Sequence, residues 1–144
     1  DGGVHMEIFL TTAGELVFLE VGARPPGGEL RDIYLRCQGF DIDLAHYLLR
    51  AREPYELTAG WTGYYGGWYI LPRYKGTVSS VDLPVLHCEH AVDLRVAVGD
   101  VIERDSAHII EPPSAIFMIY SADAAEFRAD MDVMRELRLY QVEG

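Results

Sequence analysis

Two glutamates, an arginine and a glycine pair in the first thirty residues carry the chemistry that residue type and spacing suggest. Residues 4–11 (VHMEIFLT) and 16–21 (LVFLEV) alternate as strands do, and residues 12–15 (TAGE) have the length and the glycine of a hairpin turn. If position numbers of opposed residues sum to 27, Val4/Ala23, Met6/Val21, Ile8/Leu19 and Leu10/Val17 form one apolar face. The other face then carries Phe9/Phe18, Glu7/Glu20 and His5/Gly22. Directly opposed residues have Cβ atoms about 5 Å apart, and like charges so placed destabilise a sheet. Glu7 and Glu20 are tolerable there if water screens them, if one carboxyl is protonated, or if a hard divalent cation such as Mg2+ lies between them. A solvated polar face on a half-buried hairpin is the competing reading.

Arg24 comes four residues after Glu20 and leads into Pro25-Pro26-Gly27-Gly28. The prolines stiffen the exit from the strand, and the glycines permit positive φ and close backbone approach. Residues 29–37 read as a short helix ended by Gly39, so the pair Gly27-Gly28 opens a helix whose N–H groups and dipole suit an anion. A plain strand-to-helix loop would have the same composition. Asp41 to Arg52 reads as a second helix, with Asp41 as its cap, a stripe of Ile42, Ala45, Leu48 and Leu49, and Arg50 and Arg52 at the C-terminal end. His46 within it reads as a surface or packing residue.

The whole sequence bounds these readings. With 144 residues it holds one domain, or one with a small appendage, and 12 Lys+Arg against 23 Asp+Glu give a formal net charge of −11. That charge repels phosphate backbones and disfavours nucleic acid as a partner. No apolar run is long enough for a membrane span, and no basic segment introduces a signal peptide. Cys37 and Cys88 lack metal-type spacing, which fits two reduced thiols in a cytoplasmic protein. The first residue is Asp and a strand pattern begins at once, so the sequence reads as a piece of something longer.

The run HMEIFLTTAGELVFLEVGARPPGG, residues 5–28, resembles the metal-binding end of the ATP-grasp superfamily, above all its carboxylate–amine, amino-acid-type ligases. The resemblance is strong over residues 4–52. It implies that Glu7 and Glu20 are ligands of the Mg2+ (or Mn2+) of bound ATP. It likewise implies that Arg24, with the loop at Gly27 and Gly28, holds an acyl phosphate or the acceptor substrate. Many members carry Asn two residues after the second Glu; Gly22 stands here and offers no side-chain oxygen. Family members also grip the nucleotide with lysines and a lobe upstream of the hairpin, whereas this sequence has a single lysine, Lys75. The expectation is therefore the C-terminal part of a larger enzyme, with the upstream part of the same enzyme as its partner.

The second half offers less chemistry. Residues 53–67 read as a Gly- and aromatic-rich linker, and residues 68–81 as one or two strands interrupted at Pro72. Six aromatics in residues 61–74 suit core and edge packing better than a substrate wall, and Arg73 and Lys75 would share a strand face that could attract a carboxylate. His87, Cys88, Glu89 and His90 cannot converge on one ion if they lie along a strand. Residues 94–102 read as two strands around a Gly99-Asp100 turn, 115–120 as an apolar strand, and the stretch after Ser121 or Asp123 as a helix with a Phe127, Met131, Met134 stripe. A last strand lies within residues 137–142.

The expected fold is α+β: residues 1–56 as the C-terminal half of an ATP-grasp domain, antiparallel strands with helices, then residues 57–144 as a small antiparallel α+β module. The implied activity is a Mg2+-dependent ligase that uses ATP to activate a small carboxylate as an acyl phosphate and joins it to an amine, the chain alone being incomplete. The alternative is a non-catalytic module of the same shape that binds a small acidic ligand or a protein partner.

Overall fold

A computed structural model describes residues 2–56, 58, 60–106 and 112–143. The chain divides into two compact units, Asp1–Thr62 and Gly63–Gly144. Residues 60–62 belong to the first because Gly60 and Thr62 donate their N–H groups to the carbonyls of Gln38 and Cys37, at 3.0 Å each. The Thr62 hydroxyl also reaches the carbonyl of Arg36.

The first unit holds a hairpin, β1 (His5–Leu10) and β2 (Leu16–Gly22), and then helices α1 (Leu30–Gln38) and α2 (Ile42–Ala51). The loop of the hairpin is one residue shorter than the sequence suggests. Gly14 donates to the Thr11 carbonyl and Thr11 to that of Glu15, both at 2.9 Å. Gly14 takes φ 81° to close the turn. Glu15 thus pairs with Thr11 rather than lying in the loop. Leu10 faces Leu16, Phe9 faces Val17 and Ile8 faces Phe18, whereas Glu7 faces Glu20, Met6 faces Val21 and His5 faces Gly22. The expected sum of 27 holds for these last three pairs and becomes 26 beyond them. Leu19 is the extra residue, a bulge beside the glutamate pair. The expected pairs Ile8/Leu19, Phe9/Phe18 and Leu10/Val17 are replaced, and Phe18 moves to the Met6–Ile8 face.

Both helices end as their sequences dictate. Gly39 closes α1 at φ 72° with its N–H on the Leu35 carbonyl at 3.1 Å. Asp41 caps α2 by accepting from the N–H groups of Asp43 and Leu44. Ala45 is buried, and Ile42, Leu48 and Leu49 are half-buried.

The second unit contains β3 (Tyr65–Leu71), β4 (Gly76–Val81), β5 (Glu89–Leu94), β6 (Val101–Ile102), β7 (Ala115–Ser121), α3 (Ala124–Glu136) and β8 (Tyr140–Glu143). They form two three-stranded antiparallel sheets, ordered β3-β7-β5 and β6-β4-β8. The apolar strand β7 is central because it can be paired on both edges and buried. Phe117 and Ile119 on it meet Val78, Met134, Leu139 and Tyr140 in one core. Gly67 lets α3 lie close to β3: a Cβ there would sit 3.1 Å from the Met131 sulfur and 3.3 Å from the Phe127 ring. Tyr65 stacks on Phe127 with centroids 5.8 Å apart, and Tyr69 donates its hydroxyl to the Met131 carbonyl at 3.4 Å, so these aromatics serve packing.

Several expectations shift here. Residues 95–100 are not strand; Asp100 folds the chain back, its carboxylate accepting from the Ala97 N–H at 2.8 Å and its own N–H bonding the Ala97 carbonyl at 3.1 Å. Arg73 and Lys75 lie in the β3–β4 connection, not on a common strand face. His87 and Cys88 precede β5, because Asp130 on α3 holds their N–H groups at 2.9 and 2.8 Å.

Gly76 adopts φ 136°, and a Cβ on it would meet the Val142 Cβ at 2.8 Å and the Glu143 carbonyl at 2.9 Å. Gly76→Ala is expected to destabilise the second unit by about 2 kcal/mol, read as a drop of roughly 10 °C in its melting temperature by calorimetry.

Candidate functional site

The face of β1 and β2 that carries Glu7 and Glu20 is built by the register. The two are direct partners, and His5 opposes Gly22 one step along the same face. The His5 Nε2 lies 3.8 Å from a Glu7 carboxylate oxygen, with the two side chains 24% and 44% exposed. At Gly22 a Cβ would stand 3.5 Å from Arg24 Cγ and 3.7 Å from its Nε, so the arginine stem lies across the space that a larger residue would claim. Its guanidinium Nη1 donates to the Pro25 carbonyl at 2.9 Å. Two carboxylates, an imidazole and an arginine stem are therefore assembled on one surface by strand alternation.

Gly27 and Gly28 are exposed on the loop into α1, after a buried Pro26. Gly28 takes φ 66°, which a side chain would strain. Helix α1 begins one residue later than its sequence suggests, after Glu29, and among the described residues no side chain caps its first N–H groups. These groups can receive an anion.

Helix α1 is positioned by an ion pair that no sequence pattern marks. Arg31 Nε donates to Asp41 Oδ1 at 3.1 Å and Nη2 to Oδ2 at 2.5 Å, a two-pronged contact between α1 and the cap of α2. The hydrogen bond from Arg31 holds the Asp41 carboxyl down at about 2, helped by the N–H of Leu44. His46 accepts from the Gly3 N–H at 3.0 Å through Nδ1, a packing role.

In the second unit a buried acid and a buried thiol are shifted from their ordinary ranges by packing and hydrogen bonds. Asp130 is fully buried in α3. Burial alone would push its carboxyl up; the hydrogen bonds from Cys88 and His87 outweigh that and hold it below the ordinary range. Burial, then the neighbouring Asp130, pushes the Cys88 thiol up to about 11, the condition of an unreactive cysteine. His87 Nδ1 faces the Asp130 carboxylate at 3.2 Å and His90 Nδ1 faces the Cys88 carbonyl at 2.9 Å. The sequence signal for Asp130 was an acidic residue inside the Phe127, Met131, Met134 stripe. Among the described residues no three or more His, Cys, Asp or Glu side chains gather as a metal cluster, and no helix is long and apolar enough to cross a membrane.

No family model and no curated protein matches the sequence. Among solved structures, the chain is similar to the biotin carboxylase domain of 2-oxoglutarate carboxylase from Hydrogenobacter thermophilus, determined in complex with MgADP, ADP and bicarbonate. The TM-score is 0.54 at 16% identity, over 98% of this chain and 32% of that one. The chain thus spans about a third of that neighbour's length. At this identity the likeness is one of fold: an α+β architecture with antiparallel sheets and three helices among the described residues.

Because the folded Asp41 carboxyl titrates near 2 against an ordinary 3.8, the stability it adds is whole above pH 4 and is lost as pH falls from about 4 to about 2. Asp41→Asn, which keeps a capping side chain, should make the helical circular dichroism of the first unit flatter across that interval than in the unaltered chain.

Proposed function

We propose that this chain is the C-terminal portion of a Mg2+-dependent ATP-grasp ligase that activates a small carboxylate as an acyl phosphate and joins it to an amine. The observation that carries the reading is the direct opposition of Glu7 and Glu20 on one hairpin face. Like charges set directly opposite one another cost stability in a sheet, and a bound cation would remove that cost.

The donor set fits magnesium. Mg2+ is held in nucleotide sites by one or two carboxylates, with phosphate oxygens and water completing its shell. Glu7 and Glu20 supply that number, and a third protein ligand is not required. When bound, the ion would neutralise the phosphoryl oxygens of ATP as charge shifts between them. The neighbour's complex with MgADP supports the same assignment.

The remaining residues hold and orient. Arg24, released from the Pro25 carbonyl, would bring a planar cation to the acyl phosphate or the oxyanion formed as the amine attacks. The amides at Gly27 and Gly28 and the N–H groups at the start of α1 would bind the same anion without needing a side chain.

The hairpin also supports an upstream partner within the same enzyme. Met6, Ile8, Leu10, Leu16 and Phe18 share one face and are 51–71% exposed. A lone two-stranded ribbon is marginal in water, and an apolar face of this size needs cover. The lysines and phosphate loop absent from this sequence would come from the same upstream lobe.

Gly22 favours a second reading, a non-catalytic module that keeps the hairpin to bind a small acidic ligand. It leaves the carboxylate pair without the side-chain oxygen that many ATP-grasp members add. The test is Glu20→Gln in the complete enzyme: turnover should fall about 100-fold or more while circular dichroism and melting stay close to those of the parent. Activity retained within a few-fold would overturn the metal assignment, and absence of MgATP binding by the unaltered enzyme in calorimetry would favour the module.

A further inference from the structure

Strand β5 ends the first sheet of the second unit on an open edge. In the order β3-β7-β5 it pairs with β7 alone, and all six of its residues, Glu89–Leu94, are exposed. It contains no proline, glycine or lysine that would discourage a further strand. Val92 and Leu94 share a face with their partners Phe117 and Ala115, which are buried, yet are themselves 37% and 41% exposed. An apolar row thus runs from the core to an edge where, among the described residues, no strand continues it.

The backbone decides which residues can bond outward. Arg95 donates its N–H to the Ser114 carbonyl at 2.8 Å, toward β7. Bonding direction alternates along a strand, so Glu89, Ala91 and Asp93 turn to β7, while His90, Val92 and Leu94 present N–H and C=O to the open side. A second copy of the strand, antiparallel to the first, must match residues of one set with residues of the same set. With the two-fold axis at Val92, that residue meets its own copy, Leu94 meets His90, Ala91 meets Asp93 and Glu89 meets Arg95. An axis at Ala91 sets Glu89 against Asp93 and leaves Leu94 outside the second strand, and an axis at Asp93 sets that acid against itself. Axes nearer either end leave most of the strand unpaired.

We propose that β5 pairs with β5 of a second copy of this chain about a two-fold axis at Val92, joining two three-stranded sheets into one of six. The register brings the exposed valines together and places unlike charges across the axis. Arg95 gives Nε and Nη2 to Asp93 at 2.8 and 2.6 Å, leaving Nη1 for Glu89 of the second copy, in addition to the contacts that Glu89 makes within its own chain. A contact of this size stands at the low end of specific interfaces, so the dimer is weak and depends on concentration. Nothing in it rests on Glu7 or Glu20.

Sedimentation of the whole chain from about 5 µM to about 500 µM should pass from monomer toward dimer. Over the same range the amides of His90, Val92 and Leu94 should gain protection from hydrogen exchange, and those of Glu89, Ala91 and Asp93, already turned to β7, should not. Val92→Glu and Val92→Lys should each stay monomeric with melting temperatures near the parent's. An equal mixture of the two should dimerise again, because unlike charges then meet at the axis. Val101→Glu, at an exposed position of the other sheet, should dimerise as the parent does. A chain that stays monomeric throughout, a dimer that survives Val92→Glu, or a mixture of the two charged variants that fails to associate would each overturn the proposal.

Discussion

The hairpin is governed by a conflict between its two ends. The turn closes on Thr11 and Glu15 and fixes one register, whereas the pairs from Glu7 to His5 hold another, one residue out of step. A β-ribbon resolves such a conflict with a single unpaired residue, and Leu19 is that residue. Because the bulge lies between the turn and Glu20, it leaves the two carboxylates opposite one another. Without it, the turn's register would set Glu7 against Leu19 and place the acids off axis. Bulges tend to occur where a side chain must be aimed, and this one stands directly beside the Glu7/Glu20 pair.

The rest of the first unit preserves that aim. Pro26 is buried, Gly28 takes the left-handed turn, and the Arg31–Asp41 pair ties the helix that receives the loop to the helix beyond it. The same carboxylate caps α2, so one side chain orients two helices. In the second unit the analogous device is Asp130, a buried acceptor for two backbone N–H groups that pins the approach to β5 against α3. In both cases hydrogen bonds to a carboxylate offset its loss of water.

Much of this architecture was legible from the sequence, and the failures have identifiable causes. The helices and the apolar strand β7 announce themselves by period, caps and composition. The opposition of Glu7 and Glu20 came from alternation, since the register that opposes them is the one that gives Val4, Met6, Ile8 and Leu10 apolar partners throughout. The bulge was not legible because every residue of β2 before Glu20 is apolar, so a slip of one position there carries no penalty that a pattern could reveal. The Arg31–Asp41 contact spans a turn between helices, and the anchoring of His87 and Cys88 depends on a residue more than forty positions away. The backbone bridge between Arg73 and Ser106 required a return of the chain that no local spacing encodes. Chemistry carried by neighbours in a strand could be read, and chemistry assembled by tertiary return could not.

Whether the opposed Glu7 and Glu20 hold a divalent cation, as proposed, can be read from the hairpin itself. The measurement is paramagnetic broadening by substoichiometric Mn2+ in the NMR spectrum of the chain. The amides of residues 5–8 and 19–22 should broaden first, and Glu7→Gln combined with Glu20→Gln should remove the effect. Broadening spread over the other acidic residues of the surface, or unchanged in that double variant, would contradict the proposed cation site.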